Sequence, residues 1–166
     1  VAHARLSGAD RARRDDSGAA TRLAAAALEL AGPVAASVLD VGTGSGALAA
    51  RALSLGARVV VGVDRDATLV ALARSAVPAA EIVEADAEAY LPGLADSAFD
   101  LVVANLAAPP LIDLVPELAR VARRALVVVG ARLWQGRALR RALERARFDP
   151  VGTFAADGWC GFAARR

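Results

Sequence analysis

The stretch Val38-Leu39-Asp40-Val41-Gly42-Thr43-Gly44-Ser45-Gly46-Ala47 decides the fold. A short β-branched run ends in an acid, three alternate glycines follow, and an Ala/Leu-rich segment comes next. That order reads as a strand, a tight turn and a helix N-terminus. Glycines in such a turn let a bound molecule lie directly on the backbone, which points to a nucleotide or nucleoside site.

The spacing of Gly42, Gly44 and Ala47 also meets the dinucleotide fingerprint G-x-G-x-x-G/A. Asp40 separates the two readings. A carboxylate two residues before the first glycine would face a pyrophosphate across a low-dielectric crevice, and like charges repel. S-adenosylmethionine has no phosphate and carries an ammonium and a sulfonium, so the acid favours it over NAD. Asp64 ends the next apolar run, 22 positions after Gly42, where an acid can accept hydrogen bonds from ribose hydroxyls. Asp86 follows a third run, Glu81 to Glu84, and is placed to meet the adenine amino group. The C-terminal ends of neighbouring strands line one crevice on a doubly wound sheet, so Asp40, Asp64 and Asp86 are expected to converge on one ligand. The competing reading is that each acid merely caps the helix that follows it.

The rest of the chain repeats the strand–helix alternation. Residues 1–16, rich in Arg, Asp, Ala and Gly and carrying the lone His3, read as a flexible arm. Asp16 or Ser17 can cap a helix from about Gly18 to Ala31, with Leu23, Ala27 and Leu30 on one face and Gly32-Pro33 as its stop. Strands are expected near 37–41, 58–63, 81–84, 99–104 and 125–129, with helices near 47–55, 66–76, 111–122 and 135–147. Two runs flanking Asp157-Gly158 read as an antiparallel hairpin. The sum is an α/β, three-layer, doubly wound and mostly parallel seven-stranded sheet with a C-terminal antiparallel hairpin, built as one domain over 17–166.

Composition bounds the function. The 166 residues suffice for one domain with a real core, and 56% of them are hydrophobic. A net charge of +2 argues against direct nucleic-acid binding, although all 20 basic residues are Arg. Arg137, Arg141 and Arg145 recur every fourth residue and could dock an acidic or RNA-bearing partner, but a solvated helix face is the ordinary explanation. One cysteine, Cys160, excludes a disulfide framework and suits a reducing compartment. No apolar run approaches the ~20 residues that span a bilayer, and no metal is expected. The expectation is a soluble cytoplasmic protein.

Asp40 to Gly46, Gly62-Val63-Asp64 and Asn105 together resemble the class I methyltransferases that use S-adenosylmethionine. Within them the chain is similar to the bacterial methyltransferases of large-subunit ribosomal protein eleven. Thr21-Arg22-Leu23 looks like the end of that family's entry segment, Asn105 to Leu111 like its N-I-L-A-x-P-L stretch, and Trp159 to Arg166 like its W-C-x-x-x-x-R-R ending. Asp16 to Thr21 departs from the entry pattern G-x-H-P-T-T and keeps only its last Thr. The resemblance implies a cofactor site of Thr21, Asp40, Gly42, Thr43, Gly44, Gly46, Asp64, Arg65, Asp86, Ala87 and Asn105.

Methyl transfer is an in-line displacement, so a protein mainly positions and desolvates its reactants. Asn105 is placed to accept a hydrogen bond from an amine nucleophile, and the Leu106 carbonyl to take a second. Trp159 could wall the acceptor pocket or simply pack in the core. The acceptor is expected to be an amine on a protein, with a ribosomal protein as the resemblance implies. A small-molecule amine is the alternative, because those enzymes carry a recruiting domain and fewer than twenty residues precede the first helix here. A cofactor-binding module without catalysis is the third reading.

Overall fold

The computed structural model describes residues 8–107 and 109–166, and side chains from residue 18 onward. Seven strands, β1 (Ser37–Val41), β2 (Val59–Asp64), β3 (Glu81–Glu84), β4 (Phe99–Asn105), β5 (Ala122–Arg132), β6 (Asp149–Ala156) and β7 (Trp159–Arg165), form one sheet. Its order is β3-β2-β1-β4-β5-β7-β6. The first five strands run parallel, and β7 pairs antiparallel with both β5 and β6. Six helices, α1 (Gly8–Ala31), α2 (Ala47–Ser54), α3 (Ala67–Ala76), α4 (Ala87–Tyr90), α5 (Pro110–Val121) and α6 (Gly136–Arg145), connect them.

The central strands are apolar on both faces because helices cover both. One face packs on α1 and α2 through Ala24, Ala27, Leu28, Leu48 and Ala52. The other packs on α5 and α6 through Leu111, Val115, Leu118, Leu139 and Leu143. The chain reverses from β6 to β7 at Asp157 and Gly158, both left-handed, which is the two-residue turn that matches strand twist. Asp66 starts α3 as a side-chain cap, accepting the N–H groups of Thr68 and Leu69. No helix of the described residues is long and apolar enough to cross a membrane.

Two expectations are corrected. Residues 8–16 continue α1 rather than forming an arm, so Asp16 and Ser17 lie inside the helix and do not cap it. Ala and Arg are strong helix formers, and their propensity carries the helix past the polar residues. Residues 1–7, with His3, lie outside the described residues. Within α1 the buried face is set by Ala20, Ala24, Ala27 and Leu28, while Leu30 is 47% exposed.

The sheet is locked at the end away from the glycine turn. The Asp100 carboxylate accepts both the N–H and the hydroxyl of Ser37, and the Ser37 oxygen accepts the Asp100 N–H. Arg123 adds an ion pair at 3.0 Å. The Ser37 backbone N–H holds the Asp100 carboxyl below the ordinary carboxylate value, helped by the Ser37 hydroxyl and by Arg124 and Arg123, against a smaller effect of burial. Asp100→Ala is expected to lower unfolding free energy by about 2 kcal/mol at pH 7. A carboxyl held low contributes its stability above the unfolded value and loses it as pH falls, so the gap between wild type and variant closes in acid. Urea denaturation at pH 7 and pH 3 checks this.

Candidate functional site

Gly42 to Gly46 turn sharply between β1 and α2. The N–H groups of Gly42 and Thr43 both donate to the Val63 carbonyl, at 2.8 and 3.0 Å, and Gly46 donates to Thr43. The Gly44 N–H donates to Asp64 Oδ2 at 2.9 Å, while Asp64 Oδ1 accepts the Asp66 N–H at 3.0 Å. In a phosphate-binding turn these N–H groups would point at the anion. Here protein acceptors take them, and a carboxylate stands on the ligand side.

The turn is overlain by the segment after β4. Gly42 has φ +74, and a methyl group on it would overlap the Leu106 side chain, so only glycine admits this contact. The same segment crosses β5 at Gly130, where φ is +112 and a side chain would collide with the Leu106 backbone. The Leu106 N–H donates to the Val129 carbonyl at 3.1 Å. Leu106 is therefore clamped between two glycines. Its carbonyl oxygen lies against Gly130.

Beside this clamp lies a cavity of about 260 Å³, lined by Gly42, Val63, Asp64, Arg65, Ala85, Asp86, Ala87, Glu88, Leu106, Ala107, Pro110 and Leu114. Gly42, Asp64, Arg65, Asp86, Ala87 and Leu106 are the expected site residues it brings together. Asp86 caps α4, its Oδ1 accepting the Glu88 N–H at 2.9 Å, and the same residue lines the cavity with Arg65 3.8 Å away, so the capping reading and a place at the cavity are compatible. Val63, Ala85, Glu88, Ala107, Pro110 and Leu114 line it without being among the expected site residues. Val63 and Ala85 flank the strand-end acids, and Leu114 follows Leu111 by three positions on α5, which is the signal that could have found them.

Asp40, Thr43 and Gly46 lie elsewhere. Asp40 is wholly buried and does not line the cavity, so the expected convergence of three acids reduces to Asp64 and Asp86. Asp40 Oδ2 accepts the Thr43 hydroxyl at 2.7 Å, and Oδ1 is buried with no hydrogen-bond partner. Thr43 points inward with it, and Gly46 faces Ala73 and Val77 of the α3 segment. Burial raises the Asp40 pKa to about 6; the Thr43 hydroxyl and the Ala49 backbone N–H offset part of the rise, and Asp64 adds to it.

Asn105 and Thr21 meet although 84 positions separate them: Asn105 Nδ2 donates to Thr21 Oγ1 at 3.3 Å. Trp159 is half-buried beside the α1-side core, under the Arg132 guanidinium at 3.8 Å, and its Nε1 has no hydrogen-bond partner. It does not line the cavity. Cys160 is buried, which raises its thiol pKa and suits a packing role. The described residues contain no group of side chains that could hold a metal ion.

The strand order, the glycine turn after β1 and the asparagine closing β4 place the chain in the Rossmann-like methyltransferase class. Solved structures share that fold. The ribosomal protein L11 methylase of Lactobacillus delbrueckii subsp. bulgaricus superposes with a TM-score of 0.80 at 29% identity, covering 89% of this chain and 78% of that one. The magnesium protoporphyrin IX methyltransferase of Synechocystis PCC 6803, solved with bound SAM, superposes at 0.74 with 17% identity over 99% and 86% of the two chains, a likeness of fold alone. The family model described as ribosomal protein L11 methyltransferase (PrmA) matches residues 17–166, and the chain belongs to that family. A ribosomal protein L11 methyltransferase of Desulfatibacillum aliphaticivorans is 33% identical over 133 residues, covering 76% of this chain and 43% of its own length. That of Pseudomonas putida (strain GB-1) is 36% identical over 132 residues, with 78% and 45% covered. The chain thus spans less than half the length of these curated relatives.

Asp40 yields a pH signature. A carboxyl whose folded pKa is raised favours the folded state while protonated, and that contribution is lost as pH rises from the unfolded value near 3.8 through about 6. Asp40→Asn keeps the shape without the charge. It is expected to remove a fall in stability on the order of 3 kcal/mol between pH 4 and pH 7. Denaturant unfolding of both proteins across that range reads it, and parallel pH curves would contradict the burial of an ionisable Asp40.

Proposed function

We propose that this chain is the catalytic domain of an S-adenosylmethionine-dependent methyltransferase that methylates an amine of a ribosomal protein, in the cytoplasm. The observation that carries the reading is a cavity at the strand ends beside a glycine turn whose Gly42, Thr43 and Gly44 N–H groups already donate to Val63 and Asp64. Donors engaged in this way favour a nucleoside without a pyrophosphate, and Asp64 serves either kind of adenosine ligand through its ribose. The rest of the cavity fits such a group. Asp64 would hold the ribose hydroxyls, Val63, Ala85 and Leu114 offer apolar faces to the adenine, and Asp86 with the backbone from Ala87 would meet its edge. Family membership supports the same reading, as do relatives named as ribosomal protein L11 methyltransferases.

Bound there, S-adenosylmethionine supplies a methyl group made electrophilic by its sulfonium. The protein's own part is positional. Thr21 takes the Nδ2 side of the Asn105 amide, which leaves Oδ1 to accept a hydrogen bond from the incoming amine. The amine attacks only after losing its ammonium proton to solvent; Asn105 Oδ1 then aims the free lone pair along the strand end, and the proton displaced after transfer also leaves to solvent. Leu106, fixed by Gly42 and Gly130, covers the turn with hydrocarbon and keeps water from it. Asp40 and Thr43 hold the turn from behind and touch no reactant.

Incubation with methyl-labelled cofactor and a bacterial ribosomal-protein extract is expected to label protein. Asn105→Ala should lower turnover by about 100-fold, the scale of a misplaced reactant. Thr21→Val should lower it less, by loosening the amide. Label confined to small molecules would reject the protein acceptor. Cofactor binding without any turnover would reject catalysis by this chain.

A further inference from the structure

The outer surface of α6 carries features that methyl transfer does not use. Arg137, Arg141 and Arg145 stand one above another at four-residue spacing, exposed, with no ion pair or hydrogen bond among the described residues. The only carboxylate on the helix, Glu144, is held by Arg140 at 2.9 Å and neutralises none of the three. Three residues before Arg137, on the 3-10 turn that leads into α6, Trp134 is 81% exposed. Spacings of three and four put Trp134 on the same face as the arginines. At the far end Arg145 forms the rim of a groove of about 320 Å³ between α5 and α6, floored by Ala142 and Ala146 and shared with Arg166.

A bare indole, three uncompensated guanidiniums in a row and a slot that mixes apolar walls (Ile112, Pro116, Ala142) with Arg120, Arg145 and Arg166 make an unusual solvent face. A purely acidic protein would match the charge and leave the indole and the slot unexplained. A single-stranded nucleic acid matches all three: a base stacks on the indole, phosphates meet the guanidiniums, and a second base enters the slot. Trp134 to Arg145 spans about 16 Å at 1.5 Å per residue, the length of a few nucleotides. A duplex would hide its bases from both ends of the stripe. RNA is the nucleic acid whose unpaired loops and ends display free bases for such stacking. The chain's small net charge does not oppose this, because the footprint is local.

We propose that the outer face of α6, from Trp134 to Arg145, binds a short single-stranded segment of RNA. This does not rest on the methyl-transfer reading. The test is fluorescence anisotropy with a labelled 12-nucleotide RNA of mixed sequence. With three phosphates met, affinity should fall about 20-fold between 50 and 200 mM salt. Arg141→Ala should reduce the logarithmic salt slope by about 0.7. Trp134→Ala should weaken binding about tenfold or more and leave the slope unchanged. Both side chains are exposed, and unaltered binding of S-adenosylmethionine by each variant would show that it is folded. No binding at 50 mM salt, equal affinity for the duplex form, or indifference to both substitutions would overturn the proposal. Polyglutamate binding as tightly, with the same dependence on Arg141, would assign the face to an acidic protein instead.

Discussion

The carboxylate of Asp64 accepts one N–H from the glycine turn and one from its own following turn, and this pair of bonds joins the ends of β1 and β2. Everything on the ligand side follows from it. A turn whose Gly42, Thr43 and Gly44 N–H groups donate to protein has little left to offer a phosphate. The carboxylate beside it is an acceptor for ribose hydroxyls. The same glycines that elsewhere cradle a pyrophosphate here provide closeness alone: Gly42 lets Leu106 lie on the turn, and Gly130 lets the Leu106 backbone cross the sheet.

The site is therefore a set of contacts between segments far apart in sequence. Asn105 closes β4, yet its amide is oriented by Thr21 from α1. Leu106 follows it and is clamped by backbone from β5 and from the β1 turn. Asp40 works from beneath, through Thr43, with its other oxygen buried and short of a full hydrogen bond, the Ala49 N–H giving partial support. Burying a carboxyl this way is eased by protonation, since burial raises its pKa to about 6.

Local signals announced the architecture well. The glycine turn, the Asp66 cap, the hairpin at Asp157-Gly158 and the strand–helix alternation each depend on neighbours within a few residues. Other features depend on direction, which spacing alone does not specify. Asp40 ends a strand as Asp64 does, but its side chain points into the interior. Leu28 and Leu30 are two residues apart on α1 and lie on opposite sides of the burial line. The early start of α1 follows from helix propensity overriding a polar composition. The cavity-lining residues Val63, Ala85 and Leu114 carry no chemical mark and become recognisable only when three strand ends and α5 are assembled. Net charge is likewise blind to placement: a total of +2 does not show that three arginines and an exposed indole share one helix face.

Calorimetric titration of the purified chain with S-adenosylmethionine and, separately, with NAD tests the central claim most directly. The expected result is saturable binding of S-adenosylmethionine, lost by about tenfold or more in Asp64→Ala, with no heat from NAD at the same concentrations. Binding of NAD, or an Asp64→Ala variant that holds S-adenosylmethionine as tightly as the wild type, would contradict it.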